Sequence, residues 1–270
     1  MNTVSTLWAF FRRDALIHTS YKMGFFMDLA GVFFTAATYF FVSRVFGPAA
    51  APYLQQYGGD YFAFVLIGVA FAAYQNVGLN SFSQSLRQEQ FLNTLEPLLM
   101  TPVNTPRFLL GSSLWDFLYA TVRVALYLGL GAAFFGFRMG NARVGPALAI
   151  LALTLVSFMG LGVFAASFIM RFKRGNPVTW FMEAASTLLA GVFFPLSALP
   201  IGLQKAALFI PMTHALEGLR KTLLMGAGWA DVSPQLAALG VFTVVVWPIG
   251  IFIFGRALRR ARADGTLGHY

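Results

Sequence analysis

The sequence predicts an all-α integral membrane protein. It should have six transmembrane helices, an N-terminal interfacial helix, a short cytoplasmic helix after the second span, and a re-entrant extracellular helical hairpin before the last. Three observations carry this expectation. Of the 270 residues only 11% are charged against 58% hydrophobic, with 30 Phe and a mean hydropathy of +0.69, whereas a water-facing domain carries about 25% charged residues. Several apolar runs exceed the length a helix needs to cross a bilayer. The runs are long and unbroken, not short and alternating, which selects helices over a barrel.

The chain opens on "STLWAFFRRDALIHTSYK". Leu7, Trp8, Phe11 and Ala15 recur near helical spacing, and the pattern places Arg12 and Arg13 on the opposite side. That suits a helix over residues 1–22 lying in the interface plane. No basic start precedes an apolar core, so no cleavable leader is expected. Apolar spans follow at about 23–46, 61–82, 108–137, 146–170, 178–194 and 236–257. The fifth is short for a crossing. In the fourth, Gly162 and Ala166 are four apart, which permits close helix packing.

Lys and Arg positions set the orientation. One side would hold Arg12, Arg13, Lys22, Arg87, Arg107, Arg171, Lys173, Arg174, Arg256, Arg259, Arg260 and Arg262. The other would hold Arg44, Arg138, Arg143, Lys205, Arg220 and Lys221. Twelve against six places both termini, including a tail over 256–270, in the cytoplasm. The net charge of +9 then reflects basic residues held at a membrane surface, and no nucleic-acid partner is expected.

Between the fifth and sixth spans, residues 195–226 are broken by Pro195, Pro200 and Pro211. Leu216, Leu219, Leu223 and Leu224 share one helical face. Glu217, Arg220 and Lys221 share another, at ion-pair spacing, and His214 lies in the same piece. Two short helices dipping into the outer leaflet fit this better than a further span.

The segment "FLNTLEPLLMTPVNTP", 91–106, is too short and polar to cross and too apolar for a plain loop. Thr94 is a good N-cap, Glu96 suits the positive helix end, and Pro97 is tolerated in a first turn. Leu95, Leu98 and Leu99 make one apolar face. Such a helix fits either a protein groove or the lipid surface.

This segment resembles the "GTLE-x-LL-x-TP" stretch of type-2 ABC exporter permeases, and "GVFFPLSALPIGLQ" with "IPMTHALEGLRKTLL" is similar to their extracellular hairpin. Asn93 stands where that family has Gly, and Pro97 where it has a helix former. The resemblance covers nearly the whole chain as a single domain. It implies that residues 91–102 form a coupling helix, with Thr94, Leu95, Glu96, Leu98 and Leu99 docking on an ATPase. It further implies two ATPase copies, a second permease copy in a homodimer, contact with membrane lipids, a prokaryotic plasma (inner) membrane location, and outward movement of an amphipathic substrate by alternating access.

Chemistry is absent from the chain itself. No G-x-x-x-x-G-K-[ST] loop occurs, so ATP and Mg²⁺ are expected on the partner and no cofactor on this chain. His18, His214 and His269 are scattered and form no metal set, and no cysteine is present. The chain is therefore expected to be a transport subunit, not an enzyme. Asp116, Arg123 and Glu183 are the ionisable groups inside the spans, functional candidates by default. An Arg123–Glu183 contact is expected, with Asp116 as the fallback partner of Arg123. Titration of Glu183 or Asp116 would instead define a proton-coupled secondary transporter, the alternative reading.

Overall fold

The computed structural model describes residues 3–92, 105–172 and 176–263. The described residues contain helices and no strand. A helix α1 (Thr3–Ser20) leads into α2 (Lys22–Ala50), which runs on into a 3-10 segment, Ala51–Tyr57. Then come α3 (Tyr61–Phe91), α4 (Thr105–Phe135) and α5 (Val144–Phe172). A shorter helix α6 (Pro177–Leu189) precedes the hairpin helices α7 (Ile201–Ala207) and α8 (Pro211–Leu224). The chain closes with α9 (Ser233–Ala263).

Five of these segments are long and apolar enough to cross a membrane: Lys22–Tyr57, Tyr61–Glu89, Ser113–Phe135, Val144–Ile169 and Ser233–Arg260. The fifth apolar run behaves differently. Its helix α6 has 13 residues and reaches only about 20 Å at 1.5 Å per residue, short of the roughly 30 Å hydrocarbon core. Asn176 caps its start by accepting the Thr179 N–H at 3.2 Å. At its end Gly191 turns left-handed, with φ of 80°, and Pro195 follows. Helical hydrogen bonding stops there.

The central helix is α3, which packs against α4, α5, α6 and α8. Its buried residues Phe62, Ala63, Leu66, Ile67, Ala70, Phe71 and Tyr74 join one core with Met212, Leu216 and Leu219 of the hairpin. Small residues set the closest approaches, as the spacing of Gly162 and Ala166 anticipates. A Cβ on Gly162 would stand 2.4 Å from the Gly78 carbonyl, so α3 and α5 cross backbone to backbone. A Cβ on Gly250 would stand 2.9 Å from the Gly160 carbonyl, which brings α9 equally close to α5.

The two ends of the bundle have separate clusters. Phe82, Leu86, Phe117, Val163, Phe254 and Leu258 pack at one end, with Phe10 of α1 against them. Leu54, Tyr57, Phe64 and Val65 pack at the other, near Phe193 and Leu224.

Helix α1 corrects one expectation. Arg13 is not turned away from the protein. Its guanidinium donates to Glu89 of α3 at 3.1 Å and to Asp14 at 2.8 Å, and it covers the Phe10 ring. The inward side of α1 runs through Thr6, Phe10 and Arg13, while Trp8 is 62% exposed. Three-dimensional packing on α4 at Gly111, where a Cβ would meet Phe10 at 2.7 Å, fixes which side faces in.

Candidate functional site

Three groups of residues carry the functional argument. The expected ATPase-docking residues Thr94, Leu95, Glu96, Leu98 and Leu99 lie outside the described residues. The helices that flank them are described. α3 ends at Phe91, α4 begins at Thr105, and the two pack against each other.

The second group is polar and lies on α3 and α6. Asn76 and Asn80 are four apart on α3, hence on one face. Both donate from their side-chain amides to Glu183 Oε1 of α6, at 2.5 and 2.9 Å. Gln75 donates to the Met182 carbonyl at 3.3 Å, and Asn176 donates to Ser83 Oγ at 3.3 Å. Asn76 and Thr187 are exposed on the outer surface of the protomer, and Glu183 is half-buried beside them. A polar strip thus lies across the contact between α3 and α6.

This arrangement corrects the expected charge network. Among the described residues no hydrogen bond or ion pair joins Arg123 to Glu183 or to Asp116. Glu183 is held by the two asparagines. Asp116 accepts from Ser81 of α3 at 2.5 Å. Arg123 is half-buried, and its Nε is enclosed with no hydrogen-bond partner. The reason is geometric. α6 lies against α3 and α5 but makes no substantial contact with α4, where Arg123 sits. Asparagines at 76 and 80 were a legible signal, since an i, i+4 amide pair inside a span wants a common partner.

The third group is in the hairpin. Pro195 precedes a 3-10 turn at Leu196–Ala198, Pro200 precedes α7, and Pro211 is the first residue of α8. His214 bonds the Leu208 carbonyl at 2.9 Å and Thr213 the Ala207 carbonyl at 2.7 Å, which ties α8 back to α7. Glu217 and Lys221 form the expected pair at 3.1 Å, and Glu217 also accepts from the Tyr57 hydroxyl.

Arg220 departs from the face it was expected to share with Glu217 and Lys221. It is 2% exposed. Its guanidinium donates to Gly191 O at 2.8 Å, to Phe64 O at 2.9 and 3.3 Å, and to Val192 O at 3.3 Å. It lies 3.3 Å over the Phe64 ring. The carbonyls of Gly191 and Val192 are those released where α6 breaks. A backbone break at membrane depth needs internal donors, and one planar five-donor fork supplies them. Position 220 is four after Leu216 and three before Leu223, so it belongs to the buried stripe as much as to the polar one. That register was the available signal.

Five helices long and apolar enough to cross a membrane, with polar side chains gathered between α3 and α6, fit the membrane-embedded part of a transporter. The chain matches the ABC-2 type transporter family over residues 6–224, and it belongs to that family. It is a multi-pass membrane permease subunit. It is similar to Nodulation protein J of Rhizobium leguminosarum bv. trifolii, 26% identical over 207 residues covering 75% of this chain and 77% of that protein. Nodulation protein J of Rhizobium leguminosarum bv. viciae is 24% identical over 204 residues, covering 75% and 78%. The Bradyrhizobium diazoefficiens protein of the same name is 24% identical over 204 residues, covering 75% and 77%.

Proposed function

We propose that this chain is the permease of an ATP-driven exporter that carries an amphipathic or lipophilic substrate, such as a drug, a lipid or a lipid-linked glycan, out of the cytoplasm by alternating access. Permeases of this family work with an ABC ATPase. The unit proposed here is two copies of this chain and two ATPase copies, in a prokaryotic plasma membrane with both termini in the cytoplasm. ATP and Mg²⁺ would sit on the ATPase.

The observation that carries this reading is the strip of Asn76, Asn80, Glu183 and Thr187. Polar and ionisable groups facing hydrocarbon are costly, and in membrane proteins they face a bundle interior or a water-filled path. In one protomer Asn76 and Thr187 are exposed, with Asn80 and Glu183 half-buried beside them. A second copy set against α3 and α6 would close a polar path between the two. Held by two amides, Glu183 supplies a polar wall to that path.

Thr94, Leu95, Glu96, Leu98 and Leu99 are proposed as the ATPase-docking face. Burying one Leu contributes about 1.5–3 kcal/mol, so Leu98→Asp with Leu99→Asp removes most of such a contact. Co-purification of the ATPase and its stimulated hydrolysis should both disappear while the permease still inserts. Full complex formation by the double variant would overturn the docking assignment.

A further inference from the structure

A recess of about 910 Å³ lies between the end of α1, the start of α2 and the middle turns of α4. None of the polar strip, the hairpin or the ATPase-docking segment contributes to it. Its polar rim is formed by His18, Tyr21 and Lys22, and its deeper wall by Phe25, Leu118 and Val122. The His18 ring packs between Trp115 at 5.9 Å and Tyr119 at 6.2 Å. The one carboxylate in the lining, Asp28, accepts the Tyr119 hydroxyl at 2.6 Å.

The levels of these residues in the membrane are informative. Lys22 is the first residue of the apolar helix α2, and His18 at the end of α1 stands beside Trp115 of α4. The rim is therefore at the headgroup level. Val122 lies seven positions beyond Trp115, about 10 Å deeper at 1.5 Å per residue. Phe25, Leu118 and Val122 are 51%, 47% and 43% exposed, so the deep part opens sideways to hydrocarbon. The recess is thus polar at the depth of lipid phosphates and apolar at the depth of acyl chains.

Charge selects among lipids. Lys22 is exposed and has no hydrogen-bond or ion-pair partner among the described residues. No side chain caps the first turn of α2 above it. Asp28 already has its hydroxyl donor. We propose that this recess is a binding site for one anionic phospholipid, its phosphate taken by Lys22 and the His18 edge and its chains laid along Phe25, Leu118 and Val122. Basic pockets between membrane helices bind anionic headgroups in this way. The lipid would fill the recess bordered by α1, α2 and α4 and add to the contacts that hold α1 on the bundle.

Native mass spectrometry of the full chain, released from detergent with added phosphatidylglycerol or phosphatidylcholine, tests this. The wild type should retain one phosphatidylglycerol per chain in preference to phosphatidylcholine. Lys22→Gln should weaken retention about fivefold, the effect of one basic charge near a membrane surface. Leu118→Trp, which fills the recess without touching the charge, should also displace the lipid, and it keeps the test alive if Lys22→Gln folds poorly. Inorganic phosphate should not compete. Equal retention by both variants, equal retention of phosphatidylcholine, or displacement by free phosphate would each overturn the assignment.

Discussion

At Arg220 a single guanidinium satisfies carbonyls from two segments that no regular structure joins, Phe64 in α3 and Gly191 and Val192 after α6. Removing it leaves those carbonyls enclosed without their donor. Arg220→Leu should therefore cost on the order of 3–5 kcal/mol, the range for an uncompensated buried polar group of this kind. Arg220→Lys should recover only part, because an ammonium cannot present the same planar fork. Thermal unfolding in detergent, followed by tryptophan fluorescence, ranks the three proteins, and equal midpoints would show that the contact carries no stability. Gly68 tests the same junction from the other side. A Cβ there would stand 2.2 Å from the Val192 carbonyl and 2.9 Å from Arg220 Nη2. Backbone cannot yield as a side-chain tip can, so Gly68→Ala should destabilise by about 1–3 kcal/mol. Both residues sit inside apolar or amphipathic patterns that describe their helices well. What those patterns omit is that a helix ends nearby in a place where water cannot reach its carbonyls.

At the scale of an element, α1 is held to the bundle by a polar clamp and a close contact. Arg13 bridges to Glu89, whose side chain is 8% exposed, while its own is 43% exposed. A half-exposed pair contributes little, about 0.2–1 kcal/mol. Arg13→Glu should lower the unfolding midpoint by about 1–3 °C, and the exchange Arg13→Glu with Glu89→Arg should restore much of it. Loss in the single variant without recovery in the exchange would assign the effect to the Asp14 contact or to Phe10 instead. High salt should shrink the difference, since exposed charge is screened. The helix itself, its extent and its amphipathic character were legible in the sequence. Its inward side was not, because Trp8 and Phe11 advertise an apolar face that is shared between lipid and the wall made by Trp115.

At the scale of the whole molecule, the separation of the two end clusters gives the bundle a polarity that a membrane must share. Basic residues gather at the end where α1 packs, and the hairpin lies at the other. With the cytoplasm on the basic side, the α7 segment faces outward. Gly202 is exposed, and a side chain there meets nothing within 4 Å. In this cysteine-free chain, Gly202→Cys should react with an impermeant maleimide added to intact cells. Reaction only after lysis would reverse the orientation.

The sequence by itself determined the solvent and the elements. Charge content, unbroken apolar runs and proline placement are local properties, and each acts over one or two helical turns whatever the rest of the chain does. That is why the long spans, α1 and the broken hairpin are readable in order. Partnership was decided only by tertiary structure. Glu183 meets Asn76 and Asn80, not Arg123, because α6 packs on α3 and α5 and stays clear of α4. Arg220 turns inward because α3 and the broken end of α6 bring three carbonyls within reach of one side chain. A charge inside a membrane must find a partner, and composition fixes that need. Which partner it finds depends on which helices cross, and crossing is set by glycines: Gly162 was legible from its spacing with Ala166, whereas Gly68 and Gly78 show their role only when two distant segments touch.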